Sequence, residues 1–269
     1  MINIPEKDFK ELTKLIYDSF GIVLNDSKKS LVLNRLTKAV NREKFADFNE
    51  LFTHLKQDKS GKMLQVIANY MSTNHTYFYR EPQHFDYYLN TALAEVCKNI
   101  KDNDLRVWCA AAATGEEPYM LAMLQKEFFG KQLSQWKAGL LATDISEKAL
   151  RIASTGIYPK DELTPLPNGY AKKYFSQFSD QYEAKPEIKS MITYRKLNLM
   201  HPLKFKKPIH ITFCRNVMIY FDEQTKIDLV ERIYDKTAPG GYLFIGHSET
   251  IPRDKTRFKY IMPAVYRKI

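Results

Sequence analysis

After about residue 100 the chain alternates short apolar runs with helix-length amphipathic stretches, a pattern that few architectures satisfy. Leu105–Ala110, Ala138–Thr143, Met191–Lys196, Ile209–Cys214 and Tyr242–Gly246 read as strands. Glu116–Phe129, Ser146–Ser154 and Glu223–Lys236 read as helices between them. Strands separated by helices pair in parallel and are covered on both faces, so an α/β fold is expected. Between Ile157 and Ser190 the alternation breaks. Pro159, Pro165 and Pro167, in a polar stretch studded with aromatics, mark an insertion. Phe258–Arg267, two apolar runs divided at Met262-Pro263, is expected to form an antiparallel hairpin.

Residues 6 to 70, by contrast, read as helices only. Phe9, Leu12, Ile16 and Phe20 recur at spacings of three and four, and Gly21 offers a C-terminal cap. A second helix carries Leu31, Leu36 and Val40. A third starts with Asp47 followed by Glu50, a capping arrangement, before Leu51 and Leu55. A short fourth uses Met63, Leu64 and Ile67. The second helix is basic: Lys28, Lys29, Arg35, Lys38, Arg42 and Lys44 face Glu43 alone. That stretch, Lys28 to Lys44, is either a solvated face or a docking surface for an acidic partner.

The whole chain has a net charge of +10, from 41 Lys+Arg against 31 Asp+Glu, which favours encounter with anionic partners. Charge alone does not choose among nucleic acid, acidic membrane and acidic protein. No run reaches the roughly 18 apolar residues that span a bilayer. Met1 to Lys14 carries charges throughout and lacks a signal peptide's apolar stretch, so a cytoplasmic protein is expected. Cys97, Cys109 and Cys214 are odd in number, without a close-spaced pair, and sit in apolar surroundings. No disulfide framework or structural zinc is expected.

In an open α/β sheet, ligands bind beyond the carboxyl ends of the strands, where the strand order reverses. After the first strand comes Ala111-Ala112-Ala113-Thr114-Gly115-Glu116-Glu117-Pro118. Small residues allow close backbone approach, and Gly115 allows a tight turn into the helix. Only one glycine is present and two carboxylates follow, which would repel a pyrophosphate but suit a cationic amino or sulfonium group. After the second strand, Asp144 can accept hydrogen bonds from both ribose hydroxyls of a nucleoside, or it can cap the helix beginning near Ser146. An adenosine ligand without phosphates, such as S-adenosylmethionine, fits this pair of strand ends.

Several segments in order then resemble the CheR-type chemotaxis receptor methyltransferases, over nearly the whole chain. They are Asn74-His75-Thr76-Tyr77-Phe78-Tyr79-Arg80-Glu81-Pro82-Gln83-His84-Phe85, Ala113-Thr114-Gly115-Glu116-Glu117-Pro118-Tyr119 and Ala142-Thr143-Asp144-Ile145. Gly156-Ile157-Tyr158, Cys214-Arg215-Asn216-Val217-Met218-Ile219-Tyr220-Phe221-Asp222 and Pro239-Gly240-Gly241-Tyr242-Leu243-Phe244-Ile245-Gly246-His247-Ser248-Glu249 complete the set.

The resemblance implies a helical amino-terminal domain over 1–72 and a linker over 73–90 that contributes to the cofactor site. A Rossmann-like methyltransferase domain over 91–269 follows, with a small β-subdomain inserted at about 160–190. It implies S-adenosylmethionine as cofactor, S-adenosylhomocysteine as product, no metal, and glutamate carboxylates of methyl-accepting chemotaxis receptors as substrate. The implied cofactor contacts are Asn74, Thr76, Arg80, Ala111, Glu117, Asp144, Asn198, Leu199, Arg215 and Asn216. Arg80 and Tyr220 stand nearest the chemistry. The chain is expected to act as a monomer without nucleic acid, peripheral to the membrane only through the receptor. Departures are small: the turn reads Cys109-Ala110-Ala111-Ala112-Ala113 where many members have a glycine, cysteine or serine, and Met120 stands where serine is common. Some members bind a receptor's carboxy-terminal pentapeptide through a glycine-containing loop. Ser176 to Lys189 has no glycine, so pentapeptide dependence is not expected.

Two other classes remain. A nucleic-acid methyltransferase would carry an Asn/Asp-Pro-Pro-aromatic run after the fourth strand, where this chain has Cys214-Arg215-Asn216-Val217. A non-catalytic adaptor would have no need of Arg80, Asp144 and Tyr220 together. Gly246-His247-Ser248-Glu249-Thr250 lacks the last glycine of a nucleophile elbow. His75, His84 and His247 lack metal-ligand spacing with any acid or cysteine.

Overall fold

The computed structural model describes residues 4–24, 29–71 and 74–269. They divide into two compact units: the residues up to 71 together with Tyr220–Thr225, and Asn74–Ile219 with Lys226–Ile269.

The first unit holds α1 (Glu6–Phe20), α2 (Lys29–Glu43), α3 (Phe48–Gln57) and α4 (Lys62–Met71). In α1 the spaced residues Phe9, Leu12, Ile16 and Phe20 are the buried ones. Gly21, at φ 68°, closes the helix by donating its N–H to the Tyr17 carbonyl at 2.8 Å. The Asp47 side chain accepts from Glu50 N–H at 2.9 Å, while Glu50 reaches back to the Ala46 N–H at 2.6 Å. In α2 the buried face is Val32, Leu36, Ala39 and Val40, and Leu31 is exposed. Leu31 lies one position off the stripe that an i, i+4, i+7 spacing defines, about 100° around the helix. In α4 the buried residues are Ile67, Ala68 and Met71 rather than Met63 and Leu64.

The second unit opens with a helix that the sequence pattern did not announce. It runs as α5 (Pro82–Tyr87), a π-turn (Tyr88–Ala92) and α6 (Leu93–Cys97). Its Pro82 sits in the first turn, where a missing N–H costs nothing. Then follow β1 (Asp104–Cys109), α7 (Glu116–Phe129), β2 (Lys137–Asp144) and α8 (Glu147–Thr155). The insertion is built from β3 (Ile157–Pro159), α9 (Tyr170–Tyr174), β4 (Phe175–Phe178), β5 (Gln181–Ala184) and α10 (Pro186–Lys189). The chain returns through β6 (Ile192–Lys196), β7 (Ile209–Cys214), α11 (Glu223–Lys236), β8 (Thr237–Ile245), β9 (Lys259–Met262) and β10 (Val265–Arg267).

The main sheet has seven strands in the order β6-β2-β1-β7-β8-β10-β9. All neighbours from β6 to β8 are parallel, and the tail hairpin β9–β10 adds antiparallel to β8. The small sheet, β3-β5-β4, is antiparallel throughout. This is the expected Rossmann-like fold with a β-subdomain. Every residue of β7 is buried, as in a strand covered on both faces. Phe213 of β7 and Phe244 of β8 are register partners and stack with ring centroids 4.3 Å apart. The three cysteines are free, with Cys109 and Cys214 buried. Among the described residues no helix is long and apolar enough to cross a membrane.

Candidate functional site

The strand order runs from β1 outward to β2 and β6 on one side and to β7 and β8 on the other, so the switch point lies between β1 and β7. The loops leaving the carboxyl ends of these strands therefore border the crevice where a ligand is expected.

The turn after β1 is pinned on both sides. The Ala110 N–H donates to the Phe213 carbonyl at 2.7 Å, and the Ala112 N–H to the Thr143 carbonyl at 2.9 Å. Gly115 has φ +104°, and a Cβ there would meet Ala153 Cα at 2.9 Å, so only glycine fits this entry to α7. Asp144 ends β2. Its Oδ1 accepts from Ser146 N–H at 2.8 Å and its Oδ2 from Ala113 N–H at 2.9 Å. Burial raises its pKa above the usual carboxylate range even though these backbone donors favour the ionised form. The cap of α8 is Ser146 itself, whose hydroxyl accepts from Ala149 N–H at 3.2 Å. The Ile145 N–H also serves Asp144, whose two oxygens still keep acceptor capacity beyond these backbone donors.

A buried ion cluster joins β7, α7 and α5. The Arg215 guanidinium, its side chain 1% exposed, binds Oε2 of Glu117 and, at 2.9 Å, Oε2 of Glu81. It also donates to the Arg80 carbonyl at 2.5 Å. Burial disfavours its charge, but Glu117 and Glu81 outweigh that and raise its pKa. Glu81, at φ 60°, further accepts from Asn216 Nδ2 at 3.2 Å and from the His247 N–H at 3.2 Å. Burial would raise the Glu81 pKa, yet Arg215 and these donors leave it lowered. Glu117 Oε1 accepts from the Cys109 thiol at 3.2 Å. Two carboxylates share one guanidinium, so the cluster keeps an excess negative charge next to the switch point. Beside it, Glu116 is 4% exposed and burial pushes its pKa up to about 7, with the Thr114 hydroxyl donating to it.

Most of the expected contact residues come from the second unit. Asn74, Thr76 and Arg80 are half-buried in the segment before α5. Arg80 donates to the His75 carbonyl at 3.0 Å and lies 5.8 Å from the Tyr77 ring centroid, with no carboxylate partner among the described residues. Ala111 is half-buried in the turn after β1. Asn198 and buried Leu199 follow β6, in a loop that Arg232 holds through the Leu199 and Met200 carbonyls at 2.7 and 3.1 Å. Asn216 sits at φ +57° after β7. Tyr220 is grouped with the helical unit, where its carbonyl accepts from the Val23 N–H at 2.9 Å.

Sequence reading overlooked two parts of this site. Glu249, which serves four backbone N–H groups, ended one of the resembling segments and lay in a stretch weighed as a nucleophile elbow, with no role assigned to it. Glu81, His84 and His247 also meet, one candidate ligand atom from each lying within 4.8 Å of the others. Chain spacing hides this because His247 lies on a distant strand end. Oε1 of Glu81 already serves Asn216, and Oε2 serves Arg215 and the His247 N–H. Burial holds His84 neutral, its pKa pushed down to about 3. Of the two histidines, only His247 is bonded to Glu81, through its N–H. The neutral His84 ring packs beside them, its Nδ1 3.4 Å from Glu81 Oε2 and both ring nitrogens buried without a hydrogen-bond partner among the described residues.

On α2, two cations of the basic stretch have partners within the helical unit. Lys29 pairs with Glu6 at 2.7 Å, and Arg35 donates to the Met71 carbonyl. Lys28 lies outside the described residues. Lys38, Arg42 and Lys44 are exposed.

Residues 74–266 match the family described as CheR methyltransferase, SAM binding domain, and residues 7–72 match the CheR methyltransferase, all-alpha domain. A chemotaxis protein methyltransferase of Borreliella burgdorferi is 39% identical over 272 residues, covering 99% of this chain and 96% of that one. One from Escherichia coli is 33% identical over 268 residues, covering 98% of this chain and 91% of that one.

Proposed function

The chain belongs to the CheR methyltransferase family, and from that premise we propose that it esterifies specific glutamate side chains of a chemotaxis receptor with the methyl group of S-adenosylmethionine. The observation that carries the proposal is the donor and acceptor set at the strand ends. Asp144 has acceptor capacity for the two ribose hydroxyls, Glu117 and the negative excess around Arg215 suit an ammonium, and Arg80 offers a carboxylate a guanidinium that has no acidic partner among the described residues. Those are the polar groups of S-adenosylmethionine, and the small-residue turn Ala111 to Gly115 leaves room beside them. A phosphate-bearing cofactor would be repelled by Glu117 and Asp144.

In this reading residues 1–72 dock the receptor, and 73–90 lend Asn74, Thr76 and Arg80 to the cofactor. Residues 91–269 carry the transfer, with Ala111, Asn198, Leu199, Arg215 and Asn216 completing the cofactor's surroundings. Arg215 contributes by holding Glu117 and Glu81 in place, since its guanidinium faces those carboxylates. Bound S-adenosylmethionine supplies an electrophilic methyl on a sulfonium. The acceptor glutamate is already ionised at neutral pH, so the protein needs no general base. Its tasks are to aim the acceptor, exclude water, and avoid a strong ion pair to a carboxylate whose charge fades at the transition state. Arg80 is accordingly assigned to the cofactor's carboxylate, and Tyr220 to one neutral hydrogen bond toward the acceptor. Tyr220→Phe should lower kcat by about tenfold, the value of one neutral hydrogen bond, while cofactor affinity stays close to wild type. Unchanged turnover would remove Tyr220 from the mechanism.

Lys38, Arg42 and Lys44 give an acidic coiled-coil receptor helix three exposed cations to engage, with the enzyme acting as a cytoplasmic monomer. The β4–β5 turn is the two residues Ser179 and Asp180, neither of them glycine, which supports independence from a receptor pentapeptide. Tritiated-methyl transfer to receptor-rich membranes should give base-labile label released as methanol, equally from receptors truncated at their carboxyl terminus. Base-stable label, or label in nucleic acid, would overturn the assignment.

A further inference from the structure

Glu249 follows β8 and is 5% exposed. Its carboxylate gathers four backbone N–H groups: Gly246 at 2.6 Å and Asn216 at 2.9 Å on Oε2, Met218 at 2.6 Å and Ile219 at 3.3 Å on Oε1. It has no ion-pair partner among the described residues. Burial raises its pKa, and the four N–H dipoles work against that by favouring the ionised carboxylate. Gly246 and Asn216 are pressed together beneath it. A Cβ at Gly246 would meet the backbone nitrogen of Asn216 at 2.9 Å, and Asn216 itself adopts φ +57°.

These contacts fall on one functional stretch. Arg215, just before it, reaches Glu81 and Glu117, and Asn216 donates to Glu81 at 3.2 Å. Met218 and Ile219 begin the 3-10 turn that ends at Tyr220. We propose that Glu249 is a positioning residue for methyl transfer, fixing the segment Arg215 to Ile219 so that the groups it carries toward the cofactor keep one arrangement. The proposal rests on the methyltransferase reading of the site. Glu249 does not touch the reacting atoms; it acts through the backbone they depend on.

Glu249→Gln tests this with little change of volume. Each oxygen serves two donors, so whichever becomes an NH2 group confronts two N–H groups. Loss of that pairing should weaken S-adenosylhomocysteine binding at least about tenfold and lower kcat by a similar factor in protein that is folded by circular dichroism. A merely structural role would lower Tm while leaving Kd and kcat per folded molecule unchanged, and that result would overturn the proposal. Should the variant not fold, hydrogen exchange on the wild-type chain decides. The Gly246, Asn216, Met218 and Ile219 amides should be protected, and further slowed by S-adenosylhomocysteine. Exchange at open-chain rates with and without that ligand would equally overturn it. Wild-type protein that binds no S-adenosylhomocysteine would instead sink the methyltransferase site, and this role with it. Wild-type binding with an unaffected variant sinks the role of Glu249 alone.

Discussion

The helical unit and the strand ends use charge in opposite ways. In the first, ion pairs lie open to solvent: Lys29–Glu6, Lys14–Asp18 and Lys56–Glu11 all have both side chains more than a third exposed. Such pairs are screened by salt and contribute little. At the strand ends, Arg215, Glu81 and Glu117 are 1%, 15% and 14% exposed, and every charge has a specific partner. A buried charge is expensive to strand, so these groups lock one another. The difference teaches that solvent-exposed charges and the charges of the candidate site obey different rules: the first are interchangeable with water and salt, the second depend on one another.

Breaking the buried side should have the largest effect. Arg215→Ala leaves Glu81 and Glu117 without their cation, and a loss of about 3–5 kcal/mol is expected in urea denaturation, with S-adenosylhomocysteine binding abolished. A variant as stable as wild type would mean that the cluster is no more demanding than the surface pairs.

Glu116 sharpens the contrast through pH. Its folded pKa, raised by burial from 4.5 to about 7, means that the folded chain keeps a proton the unfolded chain has released between those values. Its contribution to stability is therefore greatest below about pH 4.5, falls as pH rises, and levels off above about pH 7. Glu116→Gln should remove up to roughly 3 kcal/mol of this decline, seen as a smaller loss of stability between pH 5 and 8 than in wild type. Parallel pH profiles for the two proteins would contradict burial as the cause.

On the exposed side, Lys38→Glu with Arg42→Glu should slow receptor methylation several-fold at low ionic strength, with kcat preserved and the gap closing at high salt. A deficit that persists at high salt would point to a packed interface rather than steering. The smallest effect belongs to Lys29→Ala, which should leave Tm within error of wild type because its pair with Glu6 is exposed to solvent and screened. A clear drop would show that this pair works like the buried ones.

Periodicity revealed the elements because burial in a helix or sheet repeats with the chain: the α1 stripe of Phe9, Leu12, Ile16 and Phe20 and the fully buried β7 are both visible as spacing. The helix from Pro82 to Cys97 was not visible, since Pro82 and the motif around it read as a connecting segment. The same limit applies within the site. Asp144 and Glu117 could be singled out because each stands at a strand end. Their partners could not, because the Arg215 bonds to Glu81 and Glu117 join residues 134 and 98 apart in sequence. Glu249 was hidden for a further reason: it serves backbone groups, and backbone donors leave no trace in composition.

The account rests on the strand-end loops enclosing an adenosyl ligand, with Asp144 as its ribose anchor. Titration calorimetry of S-adenosylhomocysteine into wild-type protein and Asp144→Ala tests this most directly. One-to-one binding to wild type, weakened at least about tenfold in the variant, is the expected result for a lost charged hydrogen-bond acceptor. No heat with wild type, or equal affinity in both proteins, would contradict it.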